Sequence, residues 1–241
     1  MTNNSFVTAV IVAAGSSSRM KSQTSKQLMH LLSKPVLVHT VTAFAKSNSV
    51  DEIIIVCPSD NIEKFKSVLS MLELNIPIKF TAGGAQRQQS VANGVALADE
   101  RCTLLAIHDG ARPLIFASDI DKIIADGKIF GAASLGVPVK DTIKLVSSES
   151  TVESTPQRDK LWIIQTPQVF DKNLYKKALQ KSIEENKSFT DDCQLVENIG
   201  AKVHITLGDY SNIKITTPED IAIAEALLKL RGNYNENRTR L

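Results

Sequence analysis

The sequence lacks the features that mark exported, membrane-spanning or nucleic-acid-binding proteins. Residues 1–5 carry no basic side chain, and the apolar stretch 6–14 that follows them is too short to span a bilayer. The 28 Lys and Arg residues are spread along the chain and nearly balanced by 26 Asp and Glu residues, so no basic cluster forms a nucleic-acid footprint. We therefore predict a cytoplasmic protein that binds neither membrane nor nucleic acid.

Cysteine is also scarce. Cys57, Cys102 and Cys193 are far apart, odd in number and set among apolar neighbours, which predicts free core thiols in a reducing compartment. The four histidines show no metal-ligand spacing among themselves or with these cysteines. The sequence therefore gives no support for a disulfide framework or a structural zinc site.

What the chain does contain is an alternation of short β-branched runs with longer segments of helical period, which is typical of a parallel sheet covered by helices. Strands are predicted at residues 7–12, 53–57, 78–81, 104–108 and 203–207. Helices are predicted at residues 36–46, 62–72, 88–98, 172–186, 191–199 and 219–231. We expect a single Rossmann-like α/β domain over residues 1–232, followed by a polar, frayed tail over 233–241.

The alternation breaks down after residue 132. Residues 132–138, 142–146 and 161–165 have extended character, whereas 147–159 is polar and contains Pro156. Such a segment cannot bury much surface by itself, so it is either a flexible loop or an arm that packs on another subunit. We favour an extended β-arm over about residues 136–162 that serves dimerisation.

A run of small residues follows the first predicted strand. Ala13, Ala14 and Gly15 would let backbone N–H groups approach an anion, while Arg19 and Lys26 on the same loop would pair with phosphate oxygens. The loop has neither the Gly-Lys-Ser/Thr ending of a Walker loop nor the three glycines of a dinucleotide fingerprint. The pattern fits a triphosphate cradle, and it also fits an ordinary turn with two solvated charges.

A second glycine-containing turn follows the predicted strand 78–81. Gly84, Arg87 and Ser90 stand at the start of a predicted helix, where free N–H groups, a guanidinium and a hydroxyl would converge on a base or ribose edge. The competing interpretation is a tight turn with a helix cap.

A third motif, Asp109, Gly110, Ala111 and Arg112, follows the predicted strand 104–108, at the sheet edge where α/β proteins bind ligands. Asp109 is a candidate contact for a metal ion or for substrate hydroxyls, although no firm set of protein metal ligands is predicted. The alternative is a structural ion pair between Asp109 and Arg112 that closes a turn.

In this order, the three motifs resemble those of the cytidylyltransferases that act on 2-C-methyl-D-erythritol 4-phosphate in the non-mevalonate isoprenoid pathway. The likeness runs from about Val10 to Glu225. It departs from the family pattern at Ser17, where a second loop glycine is common, and at Ser25, where proline commonly precedes the lysine. We expect both changes to alter loop stiffness rather than chemistry. Further matching motifs are residues 138–142, Arg158, 165–168, 190–192 and 212–220.

The resemblance implies a homodimeric enzyme that transfers CMP from CTP to 2-C-methyl-D-erythritol 4-phosphate, giving 4-CDP-2-C-methyl-D-erythritol and pyrophosphate. It implies Mg²⁺ bound mainly through the CTP phosphates, and arms that exchange between subunits. The implied catalytic residues are Arg19, Lys26, Arg158 and Lys214. The implied CTP-binding residues are Ala13, Ala14, Gly15, Gly84, Arg87, Ser90, Asp109, Gly110, Ala111 and Arg112. The implied contacts to the alcohol phosphate are Asp109, Thr142, Arg158, Thr166, Thr190 and Lys214.

Two other functions fit parts of the same pattern. A ribitol-5-phosphate cytidylyltransferase would share the glycine loop and the Asp109 region, but Ala111 and the 212–214 segment resemble the methylerythritol enzymes more closely. A non-catalytic nucleotide sensor would keep the fold, but the presence of both Arg19 and Lys26 favours an enzyme.

Overall fold

The computed structural model describes residues 5–15 and 25–238. Its core is a seven-stranded sheet, with two short two-stranded sheets beside it. The order of strands across the large sheet is β11-β7-β10-β6-β1-β4-β5. In chain order the strands are β1 (Phe6–Val12), β2 (His30–Leu31), β3 (Lys34–Pro35), β4 (Glu52–Cys57), β5 (Ile78–Ala82), β6 (Cys102–Asp109), β7 (Ala132–Pro138), β8 (Leu145–Val146), β9 (Val152–Ser154), β10 (Trp162–Asp171) and β11 (His204–Leu207).

The direction of the strands fixes where ligands can bind. Strands β5, β4, β1 and β6 are parallel neighbours, β10 is antiparallel to both β6 and β7, and β11 is parallel to β7. The chain adds β4 and β5 on one side of β1 and then places β6 on the other side. This reversal beside β1 is the topological switch point at which open α/β sheets form a crevice at the carboxyl ends of their strands.

Helices cover both faces of the sheet because side chains alternate along each strand. Val7, Ala9 and Ile11 of β1 point into a cluster that includes residues of the first, second and fourth helices, whereas Val10 points to a cluster with the third, fifth and sixth. The helices are α1 (Val36–Ala45), α2 (Ile62–Ser70), α3 (Arg87–Ala96), α4 (Ala117–Phe130), α5 (Lys172–Glu184), α6 (Asp192–Glu197) and α7 (Pro218–Arg238).

A third, smaller cluster joins the C-terminal helix to the β2–β3 hairpin. Leu31 and Val36 pack with Leu114, Ile215 and Ala224, so α7 is fixed beside the loops that follow β1 and β6. Helix α7 begins at Pro218, one residue before the predicted start at 219, and Asp220 caps it by accepting hydrogen bonds from the backbone N–H groups of Thr216 and Thr217.

The structure confirms the α/β class and differs from the sequence-based elements in three places. The predicted elements omit α4, although Ile120, Ile123 and Ile124 repeat at helical spacing and Gly131 ends the helix in the left-handed conformation at φ 74°. They also omit the β2–β3 hairpin. Helix α7 continues to Arg238, seven residues beyond the predicted helix end at residue 231.

The segment predicted as an arm leaves the sheet between β7 and β10 and contains the hairpin of β8 and β9. Its apolar side chains Leu145, Val146 and Val152 each expose 51 to 54 % of their surface, as does the neighbouring Ile163 of β10. An isolated two-stranded hairpin is marginally stable in water, and exposed apolar patches of this kind mark interaction surfaces.

The lengths of the helices and the state of the cysteines bear on two further expectations. Within them, no helix has the length and apolar character that a bilayer crossing requires. Cys57, Cys102 and Cys193 are buried and unpaired with one another, as predicted.

The packing of α3 against β1 and β4 gives a stability test. A Cβ atom on Gly94 would lie 2.5 Å from Val10 Cγ1 and 2.9 Å from Val56 Cγ2, whereas a Cβ on Gly232 of α7 would meet nothing within 4 Å. We expect Gly94→Ala to lower the free energy of unfolding by about 1 to 3 kcal/mol through overpacking. As the matched control, Gly232→Ala should raise it by up to about 1 kcal/mol through helix propensity. Chemical denaturation measures both, and equal effects at the two positions would contradict the packing.

Candidate active site

A cleft of about 480 Å³ opens at the carboxyl ends of β1 and β6. It lies at the switch point of the sheet, between the loop after β1, the start of α3 and the segment before α7. Among the described residues, three cationic side chains line it, those of Lys26, Arg87 and Lys214, against the single carboxylate of Asp109. The other described lining residues are Val12, Ala14, Gly15, Gln27, Gly84, Ala85, Gln86, Ser90, Ala111 and Thr216.

The two predicted residues Ala13 and Gly110 hold the strand ends together rather than face the cleft. Ala13 is fully buried, and its N–H donates to the carbonyl of Val56 at 2.7 Å. The N–H of Gly110 donates to the carbonyl of Val12 at 2.9 Å. These amides are therefore not donors for a bound phosphate, and the small side chains act by letting the strand ends approach.

The turn before α3 is closed by its own side chains. The N–H of Gly84 donates to Ser90 Oγ at 3.0 Å, and the N–H of Ala85 donates to Gln89 Oε1 at 3.0 Å. Ser90 Oγ in turn donates to the carbonyl of Gln86 at 3.0 Å. The expectation that free N–H groups converge here is wrong for Gly84 and Ala85, because the alternative of a capped tight turn satisfies both donors.

Asp109, at the end of β6, is the electrostatic centre of the site. Its carboxylate lies 2.7 Å from Lys214 Nζ, 3.5 Å from Arg87 Nε and 3.8 Å from Arg112 Nε. Burial alone would raise the pKa of Asp109, but Arg87, Lys214 and Arg112 together hold that pKa well below its usual range. The carboxylate is therefore ionised at neutral pH, and the predicted Asp109–Arg112 ion pair is one part of a larger cluster.

Arg87 bridges Asp109 to a second carboxylate. Its Nη1 donates to Asp192 Oδ2 at 2.6 Å, and the guanidinium is largely enclosed. Burial would lower the pKa of Arg87, but Asp192 and Asp109 raise it above its ordinary value. Arg87 is thus a fixed positive charge in the cleft wall.

His108 and Thr166 brace Asp109 from behind. The N–H of Asp109 donates to Thr166 Oγ1 at 3.0 Å, and Thr166 Oγ1 lies 3.1 Å from His108 Nδ1. Burial lowers the pKa of His108 to about 3, so its ring is neutral. Because His108 Nε2 faces the carbonyl of Arg112 at 3.2 Å, Nε2 carries the proton and Nδ1 accepts from Thr166. Thr166, predicted as a substrate contact, is buried in this network and does not line the cleft.

Lys214 is placed by its neighbours in the chain. Asn212, which is buried, donates through Nδ2 to Gln165 Oε1 at 3.2 Å and to the carbonyl of Thr166 at 3.0 Å. The N–H of Ile215 donates to the carbonyl of Ala111 at 2.8 Å. With both sides of Lys214 anchored, its ammonium is directed to Asp109.

Three predicted substrate contacts lie outside the cleft of this chain. Thr142 and Arg158 are exposed on the arm, where Arg158 Nη1 donates to the carbonyl of Lys140 at 3.1 Å. Thr190 is exposed before α6, and its hydroxyl donates to Gln194 Oε1 at 3.0 Å. A single chain therefore does not bring these three residues together with Lys26 and Lys214.

Arg19 and Ser17 lie outside the described residues, so their predicted roles stay predictions. Ser25, at the other end of that loop, has φ −54° and ψ 129°. A proline could adopt the same backbone conformation, because its ring holds φ near this value.

The described residues do not form a metal cage. They contain no group of three or more His, Cys, Asp or Glu side chains placed to hold a metal ion. Asp109, the acid that lines the cleft, is already surrounded by three cations, an arrangement that opposes direct binding of a further cation. With a single carboxylate among its described lining residues, the cleft suits a metal ion that is bound mainly by a polyphosphate better than one that is held by protein side chains.

Two residues without a predicted role, Asp192 and Tyr175, belong to the site. Both are buried, and the Tyr175 hydroxyl donates to Asp192 Oδ1 at 2.7 Å. A signal was present in the sequence: Asp191 alone suffices to cap α6, and Asp192 stands beside the buried Cys193, Leu195 and Val196. A second acid on the buried face of a helix requires a partner, and Arg87 is that partner.

Comparison with known proteins identifies the family of the chain. The family model of 2-C-methyl-D-erythritol 4-phosphate cytidylyltransferase matches residues 7–230. Proteins of that name from Caldanaerobacter subterraneus subsp. tengcongensis and Desulforamulus reducens are 46 % and 42 % identical to the chain. These alignments span 224 and 231 residues, which are 92 % and 95 % of this chain and 99 % of each relative.

Solved structures show the same likeness. The crystal structure of 4-diphosphocytidyl-2C-methyl-D-erythritol synthase from Anaerococcus prevotii superposes with a TM-score of 0.85 at 33 % identity, covering 94 % of this chain and 97 % of the other. The 2-C-methyl-D-erythritol 4-phosphate cytidylyltransferase of Thermus thermophilus gives 0.76 at 27 % identity, covering 93 % and 99 %. With a family match over most of its length and relatives above 40 % identity, the chain belongs to the 2-C-methyl-D-erythritol 4-phosphate cytidylyltransferase family.

Proposed function

We propose that this chain transfers CMP from CTP to 2-C-methyl-D-erythritol 4-phosphate, producing 4-CDP-2-C-methyl-D-erythritol and pyrophosphate for isoprenoid synthesis. One observation carries the proposal: in a chain of this family, Lys26, Arg87 and Lys214 line a single cleft at the switch point of the sheet. Cations around one cavity suit a reaction in which two anions, a triphosphate and a phosphate monoester, must meet.

The residues of the cleft fit an in-line displacement without a general base. A phosphate oxygen of the alcohol phosphate attacks the α-phosphorus of CTP while the bond to the β-phosphate bridging oxygen breaks and pyrophosphate leaves. The nucleophile is already an anion, so no proton has to be removed from it. His108, which precedes Asp109 in β6, is neutral and fully buried, which agrees with a structural role.

The main obstacle is repulsion between the two anions. We assign Lys26, together with Arg19, to the triphosphate, and Lys214, together with Arg158, to the phosphate of the alcohol. Arg87, Ser90, Gly84 and the Asp109–Arg112 turn would contact or shape the site of the cytidine. Of the cationic groups, three support the assignment by lining the same cleft: Lys26, Arg87 and Lys214.

Mg²⁺ fits this site as an ion that enters with CTP. Bound to the phosphates, it would supply neutralisation of charge on the triphosphate. Asp109 is the described carboxylate nearest to that role, but its ion pairs with Lys214, Arg87 and Arg112 favour contact with ribose hydroxyls or ordered water.

We also propose that two chains exchange their arms and complete each other's sites. The exposed apolar surface of the arm supports this, since Leu145, Val146 and Val152 do not enter the core of their own chain. Thr142 and Arg158 are exposed on the same arm, so a partner's arm would deliver both to the cleft.

A reducing, cytoplasmic location is the remaining part of the proposal. It is supported by three buried cysteines that form no disulfide in the structure. Burial raises the pKa of Cys57 to about 11, which keeps that thiol protonated and unreactive at neutral pH.

The direct test is pyrophosphate release. With CTP and Mg²⁺, we expect release with 2-C-methyl-D-erythritol 4-phosphate and at most slow release with ribitol 5-phosphate. Faster release with ribitol 5-phosphate would identify the chain as the related wall-polymer enzyme. Tight CTP binding without release from either alcohol phosphate would identify a sensor and overturn the proposed reaction.

Lys26→Ala tests the triphosphate assignment. Losing one preorganised donor to developing charge typically costs about 3 to 4 kcal/mol of activation free energy. We therefore expect kcat to fall by a few hundredfold, about the rate equivalent of that energy, with the fold intact by circular dichroism. Lys64→Ala, which removes an exposed lysine of α2, is the matched control and should keep the wild-type kcat. A normal kcat for Lys26→Ala would remove this residue from catalysis.

Subunit mixing tests arm exchange. Lys26→Ala and Arg158→Ala should each be inactive alone. After subunit exchange at equal amounts, half of the dimers are mixed and each mixed dimer regains one intact site, so we expect about a quarter of the wild-type activity. Each variant taken through the same exchange by itself provides the baseline. If the mixture stays at that baseline while mass analysis shows mixed dimers, the sites are not shared.

A further inference from the structure

Asp192, the first residue of α6, is a buried acid far in sequence from the cleft motifs. It is 2 % exposed. Its Oδ2 accepts from Arg87 Nη1 at 2.6 Å, across 105 residues of chain, and its own N–H donates to Gln168 Oε1 at 3.1 Å. A buried carboxylate needs such partners, and here the charged partner is a residue of the cleft wall.

Tyr175 of α5 fixes the other oxygen of the same carboxylate. Its hydroxyl donates to Asp192 Oδ1 at 2.7 Å, and its ring is fully buried beside that of Phe170. Burial and the adjacent carboxylate raise the pKa of Tyr175 well above its usual value, so the hydroxyl keeps its proton and remains a donor. Asp192 is thus held at both oxygens.

The position of Arg87 depends on this carboxylate. An arginine side chain has several rotatable bonds, so fixing it in one rotamer when a ligand binds costs conformational entropy. That cost is smaller if contacts within the protein hold the side chain in place before the ligand arrives. Here Asp192 fixes Nη1 on one side while Asp109 faces Nε at 3.5 Å on the other. Without the charge on Asp192, Arg87 would be drawn to Asp109 and would compete there with Lys214, which lies at 2.7 Å.

We propose that Asp192, held by the hydroxyl of Tyr175, is a positioning residue that sets the affinity for CTP by fixing the Arg87 guanidinium in the cleft wall. The inference rests on the proposed role of Arg87 in binding CTP. Asp192 itself does not line the cleft, so it acts through Arg87 and not on the nucleotide.

Asp192→Asn is the principal variant. Asparagine has nearly the same shape, and its amide can accept from Arg87 and donate to Tyr175, so the change removes charge and leaves packing intact. Tyr175→Phe is the second variant, because it removes one hydroxyl and leaves Asp192 charged. Glu197→Gln is the matched control, because it removes the charge of an exposed acid on the same helix while leaving Asp192, Gln168 and Tyr175 unchanged.

Each variant is measured by titration calorimetry with CTP and by steady-state kinetics with both substrates. For Asp192→Asn we expect Kd and KM for CTP to rise about tenfold, in line with losing one charge-assisted contact, and for Tyr175→Phe about threefold. KM for 2-C-methyl-D-erythritol 4-phosphate should not change, and kcat should stay within about twofold. Glu197→Gln should match the wild type in all of these quantities.

A double-mutant cycle separates positioning from general stability. If Asp192 acts through Arg87, Asp192→Asn should have no further effect on the Kd for CTP in an Arg87→Ala background. An effect that persists in that background would overturn the inference. A lower melting temperature with an unchanged Kd would overturn it as well, because Asp192 would then only stabilise the fold.

The same set of variants distinguishes failure of the inference from failure of the proposed function. If Arg87→Ala alone leaves the Kd for CTP unchanged, the assignment of Arg87 to the nucleotide is wrong, and the inference falls with it. If the wild type binds no CTP and releases no pyrophosphate, the proposed reaction itself is wrong.

Discussion

The arrangement of the site depends on the Asp109 carboxylate, a buried negative charge among three positive ones. Without it, Arg87, Arg112 and Lys214 would repel each other across a space of a few ångströms. With it, the cations are held close together and the cluster still carries positive charge in excess. An anion that enters the cleft therefore meets cations whose mutual repulsion has already been offset during folding, which is the physical meaning of a preorganised site.

The neighbours of Asp109 are all supplied by segments that end at the same edge of the sheet. Arg87 follows β5, Arg112 follows β6, and Lys214 follows β11, while the antiparallel β10 contributes Thr166 from behind. Segments far apart in sequence can meet there because the strands beside β1 place their carboxyl ends together. The fold thus determines which residues share the cluster, and local hydrogen bonds, such as those of Asn212, determine their orientation.

Much of this architecture could be predicted from the sequence because it follows local patterns. The spacing of apolar residues predicts most of the buried strands and amphipathic helices. The site residues Lys26, Arg87, Asp109 and Lys214 stand in recognisable motifs. What the sequence could not provide were contacts between distant segments. Whether a backbone N–H such as that of Gly84 is free depends on whether Ser90 reaches it, and nothing near Asp192 in the chain indicates Arg87. Helix α4 was a different case. The spacing of its isoleucines and the glycine that ends it are both present in the sequence, so this helix could have been predicted.

The pairing of β7 with β10 has a consequence for how the arm can vary. The two strands are neighbours in the sheet, and the N–H of Val139 donates to the carbonyl of Leu161 at 3.0 Å, so the arm begins and ends at adjacent points. Because hydrogen bonds between β7 and β10 already hold the two ends of the arm side by side, the arm can change in length or composition without moving these strands. The arm can therefore change in length or composition as a unit while the sheet and the cleft at its edge keep their geometry, provided that Thr142 and Arg158, the residues it contributes in the proposed dimer, are kept.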